Sequence, residues 1–434
     1  MAGRFLTGFG KGCAYGRIAV HVAWRYSLQP GRFGGSPLAL GRFLWRAGLL
    51  LLAFRHNKVV RVGRGLKLHL YLPAYPTPAF FHAIESKLLR HPPGATTVVF
   101  SMTKACSYHC PHCYQRRDAG PDLPEEQLLA LAREMQEAGV AMFDIEGGEP
   151  LLRLPRLVRL IAALDRRAEV WVNTTGAGLT AEVMHQLRDA GLYGFMVSIH
   201  SPQRDAHDRF TGVPGSFDVA CEAVRLCRAS GGAAALNSVL AEEEIRQGGL
   251  TDLMALARSL DADFVQLIHP KPAGLWLDRT ESMQRETAFI AQVREQHRLY
   301  NSPSRQEFPA LAAQVFEEAE WVLGCTAGGV DRFYVNATGE VQPCEFLNLS
   351  FGNVSRESFA TIFARMRACF PEPCREWLCC TQAGAIASAL RQQGTGTTPL
   401  PWEATRDLVA HWDRGQPTPL YRRLGIYRCG TGSS

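Results

Sequence analysis

Residues 101–115 read SMTKACSYHCPHCYQ, and this stretch decides how the rest of the chain is organised. It leaves the end of Thr96–Ser101 (TTVVFS), an apolar, β-branched run that reads as a strand. Cys106, Cys110 and Cys113 then follow as C-x3-C-x2-C, three thiolates within eight residues. Such a set can bind three irons of one cubane cluster and leave the fourth iron open to a bound molecule. Zinc is the competing reading. It wants four ligands, and His109 or His112 can supply the fourth.

Working outward from this loop, short apolar runs alternate with helical patterns from residue 95 to about 300. Strands are expected at Ala141–Ile145, Glu169–Asn173, Phe195–Ile199, Ala233–Leu240 and Phe264–Ile268. Helices are expected at Leu123–Ala138, Leu154–Asp165, Thr180–Ala190, Ser216–Ala229, Leu250–Leu260 and Glu281–Tyr300. The alternation predicts βαβ units and a parallel α/β sheet. Six units are too few for a closed eight-stranded barrel, so an open or partial barrel is expected.

Several motifs stand at the ends of these strands. Gly147-Gly148-Glu149-Pro150 follows the second strand, where glycines permit close backbone approach and a carboxylate can meet an ammonium. Asn173, Ser198 and Asn237 put polar groups at carboxyl ends of strands, where such sheets bind ligands. His207-Asp208-Arg209-Phe210-Thr211-Gly212 follows the fourth strand. His269-Pro270-Lys271-Pro272 follows the sixth, with Lys271 either reaching an anionic group or sitting in a rigid turn.

The cysteine spacing after the first strand, with GGEP 34 residues beyond Cys113, resembles the radical S-adenosylmethionine (SAM) superfamily over residues 95–300. The resemblance implies a (βα)6 partial TIM barrel. It implies a catalytic [4Fe–4S] cluster on Cys106, Cys110 and Cys113, which cleaves bound SAM to a 5′-deoxyadenosyl radical that abstracts hydrogen from substrate. His112 would lie near the adenine. Gly147, Gly148 and Glu149 would bind the methionyl amino group. Ser198 would lie near the ribose, with Asn173 and Asn237 nearby, and Arg209 would meet a carboxylate of SAM or substrate. An electron donor such as a flavodoxin or ferredoxin is implied as partner.

A second cysteine group begins as Cys325-x13-Gly339-x4-Cys344 around an expected hairpin of Phe333–Asn336 and Glu340–Pro343. It looks like the opening of the SPASM extension, which carries auxiliary [4Fe–4S] clusters. The later spacing departs from that pattern: Cys369, Cys374, Cys379 and Cys380 offer no C-x2-C. Six cysteines are too few for two full clusters. One auxiliary cluster is expected, on Cys325, Cys344 and two of Cys374, Cys379 and Cys380, with Cys374 and Cys380 keeping one family interval. Cys13, Cys221, Cys227 and Cys429 read as ordinary thiols. The expected layout is a leader at 1–94, the core at 95–300, the cysteine-rich domain at 301–390 and a tail at 391–434, with one helix near Trp402–Trp412.

Clustered cysteines in a chain of 434 residues favour a reducing cytoplasm over a disulfide-built secreted domain. The net charge of +6 conceals an asymmetry: residues 1–94 hold fourteen Lys or Arg and one acid, Glu85, leaving −7 for the rest. Such a segment is expected to meet an anionic surface. Pro37–Phe54 (PLALGRFLWRAGLLLLAF) is too interrupted by Arg42 and Arg46 to span a bilayer, which needs roughly 18 apolar residues or more. Two readings remain open for it: an amphipathic helix at the inner membrane face, or a helix docked on the core. The leader has the Arg-rich, acid-poor composition of a transit peptide, and no pattern of three strands with helices that would suggest a peptide-recognition unit. No nucleic-acid motif is visible. The substrate is expected to be a lipid or membrane-associated molecule, with a peptide or protein as the alternative. A non-catalytic iron–sulfur sensor or scaffold is the rival from another class, and the intact GGEP counts against it.

Overall fold

The computed structural model describes residues 3–279, 287–412 and 415–427. The chain opens with β1 (Phe5–Leu6), α1 (Gly8–Ser27) and α2 (Pro37–Ala53). They are followed by β2 (Val59–Val62), β3 (Gly65–Lys67) and α3 (Pro78–Leu88). Ser36 caps α2, its hydroxyl accepting from Ala39 N at 3.3 Å, and Pro37 takes the first turn, where no donor is lost. Glycines at 8, 10, 12 and 16 hide α1 from sequence reading. It forms because Ala14, Ile18, Val22 and Tyr26, each four residues apart, are buried together against the body.

The expectation that the leader lacks a strand-and-helix unit is therefore corrected. Its three strands form an antiparallel sheet in the order β1-β2-β3, with three helices. That sheet closes one end of the barrel. Phe5, Val60, Val62 and Leu70 pack on Met142, Trp171, Met196 and Phe264 of the central strands. Lys67 crosses the same junction and pairs with Glu169 at 2.5 Å, both buried. Glu169 also accepts from the Trp171 indole and from Ala74 N, so the buried pair has its lone pairs satisfied.

The core strands are β4 (Thr97–Ser101), β5 (Met142–Glu146), β6 (Glu169–Thr174), β7 (Gly194–Ser198), β8 (Ala233–Val239) and β9 (Phe264–Ile268). All pair in parallel with their sequence neighbours, and the helices between them follow the predicted alternation. This is the (βα)6 partial barrel. The expected Glu281–Tyr300 helix is seen as Thr287–Tyr300; residues 281–286 lie outside the described residues.

Three further strands lengthen the sheet: β10 (Ala310–Ala313), β11 (Arg332–Val335) and β12 (Val341–Gln342). β10 runs parallel on the free side of β9, and β11 runs parallel beside β4. The full order is β10-β9-β8-β7-β6-β5-β4-β11-β12. The hairpin of the cysteine-rich region is thus an edge of the core sheet. Only β12 is antiparallel within this sheet, and the turn before it places Gly339 at φ 89°. The described chain beyond β12 continues as short helices, including Phe359–Cys369, Ala383–Gln393 and Trp402–Val409.

Candidate active site

The Cys106–Cys113 loop begins where β4 ends and is seated by the loops of three other strands. Gly148 N donates to Thr103 O and Glu149 N to Ala105 O, both at 2.7 Å. A Cβ on Gly147 would meet Thr103 O at 2.5 Å, and one on Gly148 would meet Ala105 O at 2.3 Å. His109 N donates to Thr211 O at 2.9 Å beside Gly212, and Leu275 N donates to Cys113 O at 3.2 Å beside Gly274. A Cβ on Gly274 would lie 2.3 Å from Tyr114 Cα. Backbone-to-backbone contact this close is open only to glycine.

The three thiols lie half-buried around one cavity. Burial, and then the neighbouring Cys113 and Cys106, push the Cys110 thiol up to about 12. Burial raises Cys106 and Cys113 as well. Among the described residues no three His, Cys, Asp or Glu side chains are gathered as a single metal ion requires. A cubane spreads its ligands over separate corners, and coordination would hold each thiol as thiolate.

The cavity measures about 440 Å³ and opens at the carboxyl ends of the core strands. That volume suits a cofactor-sized molecule. Asn173, Ser198 and Asn237 line it as expected from sequence. His112 lies inside, with ring centroids 4.6 Å from His200, 4.9 Å from Phe210 and 5.6 Å from Trp276. Burial lowers its pKa to about 4, so it is a neutral, flat surface in an aromatic box at neutral pH. The Asn173 and Asn237 amide oxygens and His112 Nδ1 are buried here with no hydrogen-bond partner, as the polar lining of a ligand site would be.

Two expected residues stand elsewhere. Glu149 does not face the cavity: its carboxylate accepts from Thr174 Oγ1, Thr175 N, Thr175 Oγ1 and Leu151 N, and it is fully buried. Four donors to two oxygens leave it nothing to offer an ammonium. It ties the GGEP turn to the end of β6. Arg209 is exposed on the Arg204–Thr211 helix and does not line the cavity. Its neighbour Asp208 caps the Ser216–Ala229 helix, accepting from Gly215 N, Ser216 Oγ and Phe217 N.

Other lining residues escaped the sequence reading. Glu146, immediately before the glycine pair, accepts from Gln115 Nε2 at 2.8 Å and from Tyr114 Oη. Trp276 and Phe346 line the cavity too. Lys271, read from sequence as either reaching an anionic group or sitting in a rigid turn, lines it at 5 % exposure, with Nζ 3.0 Å from the Trp377 ring centre. Below, sharing Tyr114, Glu146, Asn173, Asn237 and Phe346, a second cavity of about 130 Å³ continues into the barrel lumen. Asp144 Oδ1 and Gln266 Oε1 line it, buried and without partners. Its lining holds six carboxylates against Lys87 and Arg332.

The second cysteine group is built differently. Cys325 and Cys374 face each other across an antiparallel bridge, with backbone bonds of 2.7 and 3.2 Å. The two thiols are electrostatically coupled, which brings Cys325 down to about 7 and raises Cys374, whose Sγ donates to Glu376 O at 3.3 Å. Cys344, buried after β12, lies 3.1 Å from Glu345 Oε2 and 3.8 Å from the Arg332 guanidinium. Cys379 is buried within electrostatic reach of both Cys344 and Lys271, while Cys380 beside it is half-buried. Cys221 and Cys227 are buried in a helix as expected of core residues, and Cys429 lies outside the described residues.

Comparison with known proteins settles the class. The radical SAM superfamily model matches residues 100–244, and the SPASM model, an iron–sulfur cluster-binding domain, matches residues 325–380. The chain belongs to the radical SAM superfamily. It is 30 % identical to a PqqA peptide cyclase of Streptomyces rochei over 258 residues, 57 % of this chain and 68 % of that one. It is 24 % identical to an AdoMet-dependent heme synthase of Oleidesulfovibrio alaskensis over 300 residues, 63 % and 75 % of the two chains. Streptococcus suis SuiB, solved with its precursor peptide SuiA, shares the fold at a TM-score of 0.50 and 15 % identity. That match covers 62 % of this chain and 64 % of SuiB, less than two thirds of its length. As a radical SAM enzyme with a SPASM region, the protein takes a [4Fe–4S] cluster, SAM and auxiliary iron–sulfur. No helix among the described residues is long and apolar enough to cross a membrane.

Proposed function

We propose that this enzyme modifies a peptide or protein at an unactivated C–H bond, with the cluster on Cys106, Cys110 and Cys113 and SAM in the cavity beside them. Held by those three thiolates, a reduced cluster would supply the electron that splits SAM into methionine and a 5′-deoxyadenosyl radical able to take a hydrogen atom from substrate. The chain's own share is placement. Gly147, Gly148, Gly212 and Gly274 let three loops grip the cysteine loop. His112, Phe210 and Trp276 offer flat surfaces for the adenine, and Asn173, Ser198 and Asn237 offer polar groups for the ribose. The auxiliary cluster is assigned to Cys325, Cys344, Cys374 and Cys379, with Cys379 preferred over Cys380 for its place near Cys344. The electron comes from a donor such as a flavodoxin or ferredoxin, in the cytoplasm.

The observation that carries this reading is the continuity of the cysteine-lined cavity with an acceptor-rich lumen. Amide N–H groups of a peptide complement the partnerless buried oxygens of Asn173, Asn237 and Gln266. The curated peptide cyclase and the SuiB fold support a peptide over the lipid expected from the leader. The test is anaerobic reconstitution, reduction and incubation with SAM and peptide extract from deuterium-grown cells. Deuterium in the 5′-deoxyadenosine, read by mass spectrometry, is the expected result. Label arriving only from a lipid extract would overturn the peptide assignment and restore the lipid one.

A further inference from the structure

The outer face of the N-terminal hairpin plays no part in the reaction described above. Twelve large apolar side chains stand exposed among the described residues, and half of them are on two helices: Phe9, Val20 and Trp24 on α1, and Leu38, Trp45 and Leu52 on α2. They are not scattered. On α1 the outward positions Phe9, Cys13, Gly16, Val20 and Trp24 repeat at helical spacing, opposite the buried stripe of Ala14, Ile18, Val22 and Tyr26. On α2, Leu38, Trp45 and Leu52 recur every two turns, opposite Phe43, Ala47 and Leu50. Each helix is thus docked by one apolar stripe and presents a second to the outside. Trp24 and Trp45, 62 % and 65 % exposed, stand in these outer stripes. Contiguous exposed apolar surface of this kind marks an interaction site.

Charge selects the partner. Arg17, Arg42 and Arg55 are exposed beside the stripes. The one acid of residues 1–94, Glu85, is spent inside, bonded by Tyr26 Oη at 2.9 Å and Arg32 at 2.7 Å. The outer face is therefore apolar and cationic without a counter-charge of its own. A second copy of the same face would meet it with like charge. An anionic lipid surface complements both properties: tryptophan settles at the headgroup boundary, leucine and phenylalanine enter the acyl region, and arginines reach phosphate. An apolar groove of about 250 Å³ borders α2, lined by Leu49, Leu52, Trp321 and Leu420, with Arg55 and Arg423 at its rim. It extends the same surface beyond the hairpin.

We propose that the exposed stripes of α1 and α2 form a peripheral docking surface for an anionic bilayer, holding the enzyme at a membrane without crossing it. Neither open reading of the Pro37–Phe54 segment is discarded: α2 is docked on the core by one face and meets lipid with the other.

The test is co-sedimentation of the full, reconstituted protein with vesicles of phosphatidylglycerol and phosphatidylcholine, and with phosphatidylcholine alone. Strong pelleting is expected with the anionic vesicles, with loss at high salt. Trp24→Ser with Trp45→Ser should weaken partitioning roughly tenfold or more, and Arg17→Glu with Arg42→Glu by a similar factor. SAM cleavage should be unchanged in both. Should the tryptophan variant fail to fold, seen as lost iron, the arginine variant decides. A protein that stays in the supernatant, or variants that pellet as the parent does, would overturn the proposal. So would a dimer in sedimentation equilibrium that the tryptophan variant abolishes, since the face would then belong to a second copy.

Discussion

The two cysteine groups of this protein are a study in contrast. Cys106, Cys110 and Cys113 occupy one loop of eight residues, half-exposed at the mouth of a cavity and gripped by glycine-bearing turns from three strands. Cys325, Cys344, Cys374 and Cys379 are separated by up to 54 residues of sequence and are buried, Cys325 facing Cys374 across a backbone bridge and Cys344 following the hairpin at the sheet edge. The first group is local and open, suited to a cofactor that must be reached by SAM. The second is dispersed and enclosed, suited to a group that holds structure or passes electrons. A local ligand set is visible as spacing, whereas a dispersed one depends on the fold to exist.

The sharpest way to break this contrast is to remove one ligand from each group. Cys113→Ala should abolish 5′-deoxyadenosine formation. Cys344→Ala should leave cleavage measurable by mass spectrometry and lose part of the bound iron. Full iron in the second variant would remove the auxiliary cluster, and lost cleavage in both would make the two groups one functional unit. Comparing Cys379→Ala with Cys380→Ala then sharpens the assignment, with iron loss expected for the first only.

Gly148→Ala probes the grip on the first loop. Its Cβ would stand 2.3 Å from Ala105 O, so the loop must move, at about 1–3 kcal/mol. Iron content after reconstitution should fall well below that of the parent. Parent-level iron would mean that the loop shape is not what the glycines secure. Glu149→Gln should be milder. The amide cannot accept all four donors that the carboxylate satisfies, so thermal stability should fall by about 1–3 kcal/mol. SAM affinity in equilibrium dialysis should change only a few-fold; complete loss of SAM binding would return Glu149 to the cofactor.

A further test concerns the lumen. Burial, and then Glu345 nearby, raise the Asp144 carboxyl from its usual range to about 8. The folded state therefore keeps a proton that the unfolded chain releases near pH 4, so this group destabilises folding progressively as pH rises from about 4 to about 8. Asp144→Asn should remove that dependence, with a melting temperature that gains on the parent as pH is raised from 5 to 8.5. A constant difference across that range would mean that Asp144 is already ionised in the fold.

Much of the first site was legible because its chemistry is carried by neighbours in sequence. The cysteine spacing, the GGEP turn and the polar residues ending β6, β7 and β8 all lie where the strand pattern put them. The roles of two residues were not legible. Glu149 reads as an ammonium ligand until Thr174 and Thr175, 25 residues on, are seen to occupy it. Arg209 reads as a carboxylate ligand until its helix is seen to turn it outward. A side chain's direction depends on which neighbour claims it first, and those neighbours come from other strands.

By itself the sequence determined the class of chemistry and the repeating strand–helix plan, because thiolate spacing and hydrophobic period are local properties written over a few residues. Only the tertiary structure decided that the leader's strands close the barrel, and that β10 and β11 extend the sheet at its two sides. It also decided that Lys271 stands between the two cysteine groups and that four acceptors face one lumen. These are pairings between residues tens to hundreds of positions apart. No local pattern encodes them, because they come into being when burial brings separate faces of the chain together.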